Sequence, residues 1–318
     1  MFSVDNKQEN GFDIIVLSDH SSGTSAEIIP GCGGILHAFN IHYENGSLNI
    51  IDQYSNKKQF DERVEAEGFK SCKLSPFVCR LKDGKYKFGE NEYTIEKFYL
   101  GKHALHGLIY DAPFSVVKLD ADEEKANAEL LFSYTGTDKG FPFKYDCRVI
   151  YELAKHNTLH ITTIIKNNES TAIPVADGWH PYFSFGAVVN DLYLHIQSEN
   201  LLEFDEDLIP TKKILPNNQF IKMVKIGDTR LDTSFLLKPT TNNPVAILRD
   251  EEKNLQLEIL PDKSYPILQV YIPDHRQSIA IENLSGAPDA FNNQLHLNIV
   301  PAGKEVIFKT SYKISNTN

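Results

Sequence analysis

The chain has 318 residues, with 32 Lys and Arg against 43 Asp and Glu, a formal net charge of −11. That surplus of anions excludes a protein whose main work is neutralising nucleic-acid phosphates, which takes an excess of cations. Apolar residues at 41% and charged residues at 24% are those of a globular chain, and about three quarters of the unfolded surface can be buried at this length, which excludes disorder and fibrous repeats.

Met1 to Asn10 carry no basic stretch followed by an apolar one, and no later window approaches eighteen apolar residues. Neither a secretory leader nor a membrane span is expected, and the expected location is cytoplasmic. Alternation with period two, the mark of a strand with one buried face, begins at 14–17. Gly31-Cys32-Gly33-Gly34 resembles a nucleotide-binding glycine run only superficially, because the third glycine and the following helix are missing; it reads as a turn between strands. Asn45-Gly46 and Asp83-Gly84 are further turn signals. The acidic stretch Asp120 to Lys125 reads as a solvated loop capping a hairpin, with strand candidates at 128–134 and 147–153 and a turn at Gly136 to Gly140. In 159–165, Leu159, Ile161, Thr163 and Ile165 share one face. Shorter candidates follow at 192–196 and 267–272, and Leu255, Leu257 and Ile259 interleave with Gln256 and Glu258. After Pro301-Ala302-Gly303, residues 306–314 alternate again.

Many short strands, aromatic residues at 11% and scarce helical periodicity predict an all-β fold, a large antiparallel β-sandwich. With no linker, composition shift or repeat, residues 1–318 read as a single domain. Cys32, Cys72, Cys79 and Cys147, irregularly spaced in a chain able to build its own core, read as reduced thiols.

No phosphate-binding loop, His-Glu-x-x-His, paired Cys-x-x-Cys or Gly-x-Ser-x-Gly occurs, so no cofactor and no metal are expected. His103 and His106 stand three apart, which on a strand sends them to opposite faces, and they lack ligand-spaced Cys or carboxylate neighbours. Titratable groups concentrate instead in three apolar or aromatic settings: Leu105-His106-Gly107, Asp177-Gly178-Trp179-His180-Pro181-Tyr182-Phe183, and Ile279-Ala280-Ile281-Glu282-Asn283 with Pro288-Asp289-Ala290-Phe291-Asn292. Each has a plain structural reading: a hydrogen-bonded core histidine, a core tryptophan, a carboxylate marking a strand end. Glu282 nevertheless follows a run that would otherwise be a buried strand, where carboxylates seldom sit without a partner or a task.

Taken together, these segments resemble the aldose 1-epimerases, or galactose mutarotases, and their hexose-6-phosphate epimerase relatives. The likeness begins near Ile28-Ile29-Pro30-Gly31 and continues through Pro76-Phe77-Val78-Cys79-Arg80, Leu105-His106-Gly107, Gly178-Trp179-His180-Pro181-Tyr182-Phe183, Leu231-Asp232 and Leu268-Gln269-Val270-Tyr271. It ends with Glu282 six residues before Pro288. Leu108 stands where the best-known mutarotases have a second glycine, and Trp-His-Pro replaces their usual Asn-His setting; this form looks more like the broader bacterial branch.

The resemblance implies a mutarotase-like β-supersandwich holding a monosaccharide. It implies His180 as general acid at the ring oxygen, Glu282 as general base at the anomeric hydroxyl, and His106 as a second histidine at the ring oxygen. Arg80, Asp232 and Gln269 would bind sugar hydroxyls, and Trp179 would stack on an apolar sugar face. Interconverting anomers needs an acid and a base acting together and then exchanging roles, which suits a histidine and a carboxylate of raised pKa. The expected activity is that of an isomerase on a free monosaccharide such as galactose or glucose, in a monomer or homodimer with no nucleic-acid or membrane partner. The alternatives are a hexose-6-phosphate 1-epimerase, with Arg80, Lys82, Lys85 and Lys102 as phosphate-binding cations; a non-catalytic carbohydrate-binding protein; and a hydrolase or lyase with Asp177 or Asp289 as second carboxylate.

Overall fold

The alternating segments are strands, and their alternation is what layers the molecule. In the computed structural model, which describes residues 1–238 and 243–317, a nine-stranded antiparallel sheet runs through Ser115–Ala121, Lys125–Tyr134, Tyr145–Ala154, Thr158–Asn167, Glu305–Asn316, Leu255–Ile259, Ala246–Asp250, Tyr193–Ile196 and Val224–Lys225. Leu159, Ile161, Thr163 and Ile165 all turn their shared face inward and are buried, as the period-two pattern predicts. The acidic stretch closes the first hairpin: the Asp122 carboxylate accepts from the backbone N–H of Glu124 (2.7 Å) and Lys125 (3.0 Å), so the turn is held by its own side chain.

A second, eight-stranded sheet faces this one. Its main path is Pro210–Pro216, Asn200–Phe204, Asp232–Leu236, Ile267–Tyr271, Ile279–Leu284, Gly178–Trp179 and Lys73–Leu74, with Tyr182–Phe183 also paired to Ile279–Leu284. Aromatic contacts stitch the two sheets across the shared core: Trp179 to Tyr151 (5.9 Å between centroids), Phe183 to Tyr312 (5.3 Å) and Tyr265 to Phe308 (5.7 Å).

An N-terminal five-stranded meander, Phe2–Glu9, Phe12–Asp19, Thr24–Ile29, Ile35–Tyr43 and Gly46–Asn49, packs beside the long sheet. The glycine run is the turn between its third and fourth strands. Gly33 has φ +72°, and a Cβ there would lie 2.1 Å from the Tyr110 carbonyl oxygen, so glycine serves geometry at that point and not phosphate binding.

Two short helices, Lys57–Arg63 and Ala290–Asn293, were not legible in the alternation. The first begins where Asn56 accepts from the Gln59 N–H (2.9 Å) and carries Lys57–Asp61 and Arg63–Glu67 pairs. It buries only Phe60, against Tyr54, so no apolar stripe announces it. All four cysteines are buried and free. No helix among the described residues is long and apolar enough to cross a membrane.

Candidate active site

Strand register builds the site. Gly178 pairs with Leu284 and Tyr182 with Ala280, which sets His180 directly opposite Glu282. On the other side of that strand, Glu282 pairs with Gln269, and Gln269 with Ser234. Side chains alternate along strands, so His180, Glu282, Gln269 and Ser234 form one row on one face, with Tyr182, Tyr271 and Asp232 two residues along. Glu282 stands in the interior of Ile279–Leu284, so it does not mark a strand end.

This face floors a cavity of about 200 Å³. The His180 Nε2 is 3.4 Å from the Glu282 Oε1, and both side chains are nearly inaccessible. His106 meets the His180 ring edge-on at 4.8 Å, backed by Phe69 at 4.7 Å, while the other flank of His180 stacks on Tyr182 at 5.0 Å. His106 follows the short strand His103–Leu105 in a left-handed conformation, φ +59°, and donates its backbone N–H to the Cys79 carbonyl (3.0 Å). The next residue must be glycine. A Cβ on Gly107 would lie 2.3 Å from the Ser75 carbonyl oxygen, a close approach that lets the chain turn and present the histidine.

Arg80 brings the only cation to the lining among the described residues, beside Glu65, Asp232 and Glu282. Gln269 has a fixed polarity: the Ser234 hydroxyl donates to its Oε1, and its Nε2 donates to Asp232 Oδ1 at 2.6 Å.

Burial controls the charges. It pushes the Glu282 carboxyl well above the usual carboxylate range, with the Asp232 charge adding to the effect, and pulls His180 down to about 4. His106 is held well below its ordinary value by burial, then by the neighbouring His180 and Arg80. Burial also raises Asp232, against the lowering effect of Arg80 and the Gln269 hydrogen bond. Three buried polar atoms, His106 Nδ1, His180 Nδ1 and Glu282 Oε2, have no protein partner. Unmet polar atoms are costly, and a small hydroxylated ligand is one way to satisfy those that face the cavity.

Six of the seven residues singled out in the sequence, His180, Glu282, His106, Arg80, Asp232 and Gln269, line this cavity. Trp179 does not, which corrects the expectation that it stacks on a sugar. It is the strand neighbour of His180, so alternation turns it to the opposite face, into the core against Tyr151. The aromatic groups at the cavity are Phe69, Tyr182, Phe204 and Tyr271.

Asp177 shares the core face with Trp179 and pairs with Lys73, while Asp289 accepts the Lys82 backbone N–H (2.9 Å) and donates its own N–H to the Arg80 carbonyl (2.8 Å). Neither carboxylate lines the cavity. Of the four proposed phosphate-binding cations only Arg80 does; Lys102 is taken up by Asp207 at 2.7 Å. His103 is drawn away from His106, its Nδ1 accepting the Asp83 N–H at 2.9 Å. Cys79 lines the cavity, but burial holds its thiol well above the range of a reactive thiolate. Glu65, Phe69 and Leu208 went unnoticed in the sequence because they sit on loops, where no periodicity reports which way a side chain faces.

Residues 13–313 match the sequence profile of the family described as Aldose 1-epimerase. A protein of Escherichia coli K12 described as uncharacterized protein YihR is 27% identical over 238 residues, covering 73% of this chain and 74% of its own. Among solved structures, a galactose mutarotase-like protein from Clostridium acetobutylicum superposes with a TM-score of 0.87 at 20% identity, covering 99% of each chain. A galactose 1-epimerase from Lactobacillus acidophilus superposes with a TM-score of 0.83 at 18% identity, covering both chains fully.

Proposed function

The chain belongs to the aldose 1-epimerase family, and from that premise we propose that it interconverts the α and β anomers of a free monosaccharide such as galactose or glucose. The observation that carries this reading is the His180–Glu282 contact at 3.4 Å, an acid and a base held side by side at the floor of a cavity. Residues 1–318 act as one sugar-handling domain in the cytoplasm.

Glu282 takes the proton from the C1 hydroxyl while His180 gives one to the ring oxygen. The C1–O5 bond breaks, leaving a free aldehyde, a protonated Glu282 and a neutral His180. Rotation about C1–C2 presents the other carbonyl face. His180 then removes the O5 proton as that oxygen attacks C1, and Glu282 returns its proton to the new anomeric hydroxyl. Each group ends as it began. His106 sits against His180 and positions the ring oxygen; Arg80, Asp232 and Gln269 bind hydroxyls.

The electrostatics support that cycle. Burial disfavours both an imidazolium and a carboxylate, so the empty pocket favours neutral His180 with protonated Glu282. That is the proton arrangement of the open-chain half of the reaction. The ion-pair arrangement of the closed-ring half holds the same number of protons and differs by one proton moved within the pair, and the polar groups of a bound sugar offset part of its burial cost.

A lining with three carboxylates and one guanidinium supports a neutral sugar over a phosphorylated one. Polarimetry on freshly dissolved α-glucose, α-galactose and α-glucose 6-phosphate tests the reading. Acceleration over buffer for a neutral hexose is expected; none for any of the three overturns it, and acceleration for the phosphate alone overturns the substrate class.

A further inference from the structure

The segment that carries His180 is held by separate backbone hydrogen bonds on both sides and not by one long ladder: the His180 N–H donates to the Cys72 carbonyl (3.1 Å), its carbonyl accepts from Ser71 (2.9 Å), and the Tyr182 carbonyl accepts from Asp52 (2.9 Å). Gly178–Trp179 and Tyr182–Phe183 are two residues each, separated by His180 and Pro181, and proline has no N–H for a ladder. A slip of one residue would turn His180 into the core and Asp177 toward the cavity. A slip of two would keep the faces but carry His180 away from Glu282. Trp179 and Phe183, buried on the core face, resist a slip of one residue, and a charged contact on that face adds a further constraint on any slip.

On the core face of the same segment lies a fully buried ion pair, Lys73 Nζ to Asp177 Oδ1 at 2.6 Å, with both side chains inaccessible. The Lys73 ammonium also donates to the Gly178 carbonyl (3.0 Å) and sits over the Trp179 ring at 4.4 Å from its centre. The Asp177 carboxylate accepts from the Tyr265 hydroxyl (2.7 Å). Its backbone N–H donates to Ser285 Oγ and its carbonyl accepts the Ser285 N–H, both at 2.8 Å, which places Asp177 opposite Ser285 in the register that sets His180 opposite Glu282. Lys73 itself lies on the neighbouring strand, paired with Trp179, and the His180 N–H donates to the Cys72 carbonyl just before it.

A buried ion pair contributes little net stability, because desolvation offsets the attraction, yet it is strict about partners: any slip strands a charge in the core. Resting on the anomerase reading above, we infer that Lys73 and Asp177 are positioning residues, a register lock that holds His180 opposite Glu282. They touch neither substrate nor reacting atoms. The lock works from the back of the strand, and its contribution is to the geometry of the acid-base pair.

The test uses the full chain with Lys73→Met and Asp177→Asn combined, so that no unpaired charge stays buried, and Lys73→Met alone as the control that leaves one. The double variant should melt within about 5 °C of wild type, since ion-pair removal with neutral replacement is nearly neutral. Its kcat for anomerisation should fall about tenfold to a hundredfold, as for a misplaced catalytic group, with KM within about twofold. The His180 imidazole nitrogen NMR signals, one set in wild type, should broaden or double. Wild-type kcat together with a single sharp His180 set in the double variant would overturn the lock. So would a loss of kcat that equals the unfolded fraction while the folded His180 signals stay unchanged. Should wild type show no anomerisation, the reading of the activity fails, and the imidazole spectrum still decides the lock.

Discussion

Two buried histidines in this molecule undergo the same perturbation and sit in different company. His37, on the strand Ile35–Tyr43 of the N-terminal meander, and His180, in the cavity, are both pulled down to about 4, chiefly by burial. His37 packs against Phe12 at 5.3 Å, and its Nδ1 has no partner. The charges it feels, Lys7 and Glu9, come after burial and act in opposite directions. His180 has a carboxylate at 3.4 Å, a second imidazole on one side and a tyrosine on the other. A depressed pKa alone therefore marks a buried base. What separates a site from a core histidine is a neighbour that can exchange a proton with it, in a cavity that admits a third molecule.

Removing each histidine in turn separates the two environments. His180→Asn keeps a polar side chain but no titrating group, and should lower anomer exchange by roughly 10²–10⁴-fold, as expected for loss of general acid catalysis, with the melting temperature little changed. Exchange spectroscopy at saturating sugar checks it.

His37→Phe should do the opposite. The folded-state pKa of His37 lies below the 6.5 of the unfolded chain, so between pH 6.5 and about 4 the unfolded state takes up a proton that the folded state refuses. Stability therefore falls as pH drops through that window and levels off below it. A shift of this size corresponds to roughly 3 kcal/mol, and phenylalanine removes it. Denaturant midpoints from pH 4 to 7 should lie on a flatter line for His37→Phe than for wild type, while anomer exchange at pH 7 stays unchanged. A loss of exchange in this variant would show that the two histidines are not separated as described.

Much of the architecture is legible in the alternation. Leu255, Leu257 and Ile259 are buried on the strand Leu255–Ile259, and the turns at Gly31 to Gly34 and Asp122 fall where the sequence puts them. The helix Lys57–Arg63 was hidden because one buried phenylalanine makes no stripe. The gathering of His180 with Glu282 and Gln269 was not deducible from residue order, because it depends on the register between the paired strands Ile267–Tyr271 and Ile279–Leu284 and a segment far earlier in the chain. The Trp179 expectation had its correction available in advance: with Glu282 next to the apolar Ile281 and His180 next to Trp179, strand alternation sends each polar residue and its apolar neighbour to opposite faces. The resemblance to a sugar-handling family drew attention to an aromatic residue that the pleat turns inward.

In the proposed cycle His180 and Glu282 pass protons between the sugar and themselves to open and close its ring. Glu282→Gln is the direct test, because it keeps the shape and hydrogen-bonding reach of the side chain and removes only the base. Anomer exchange of glucose or galactose, measured by NMR at equilibrium in one buffer with wild type and variant side by side, should fall by roughly 10²–10⁴-fold with the sugar still bound. Exchange in Glu282→Gln equal to that of wild type would overturn that cycle.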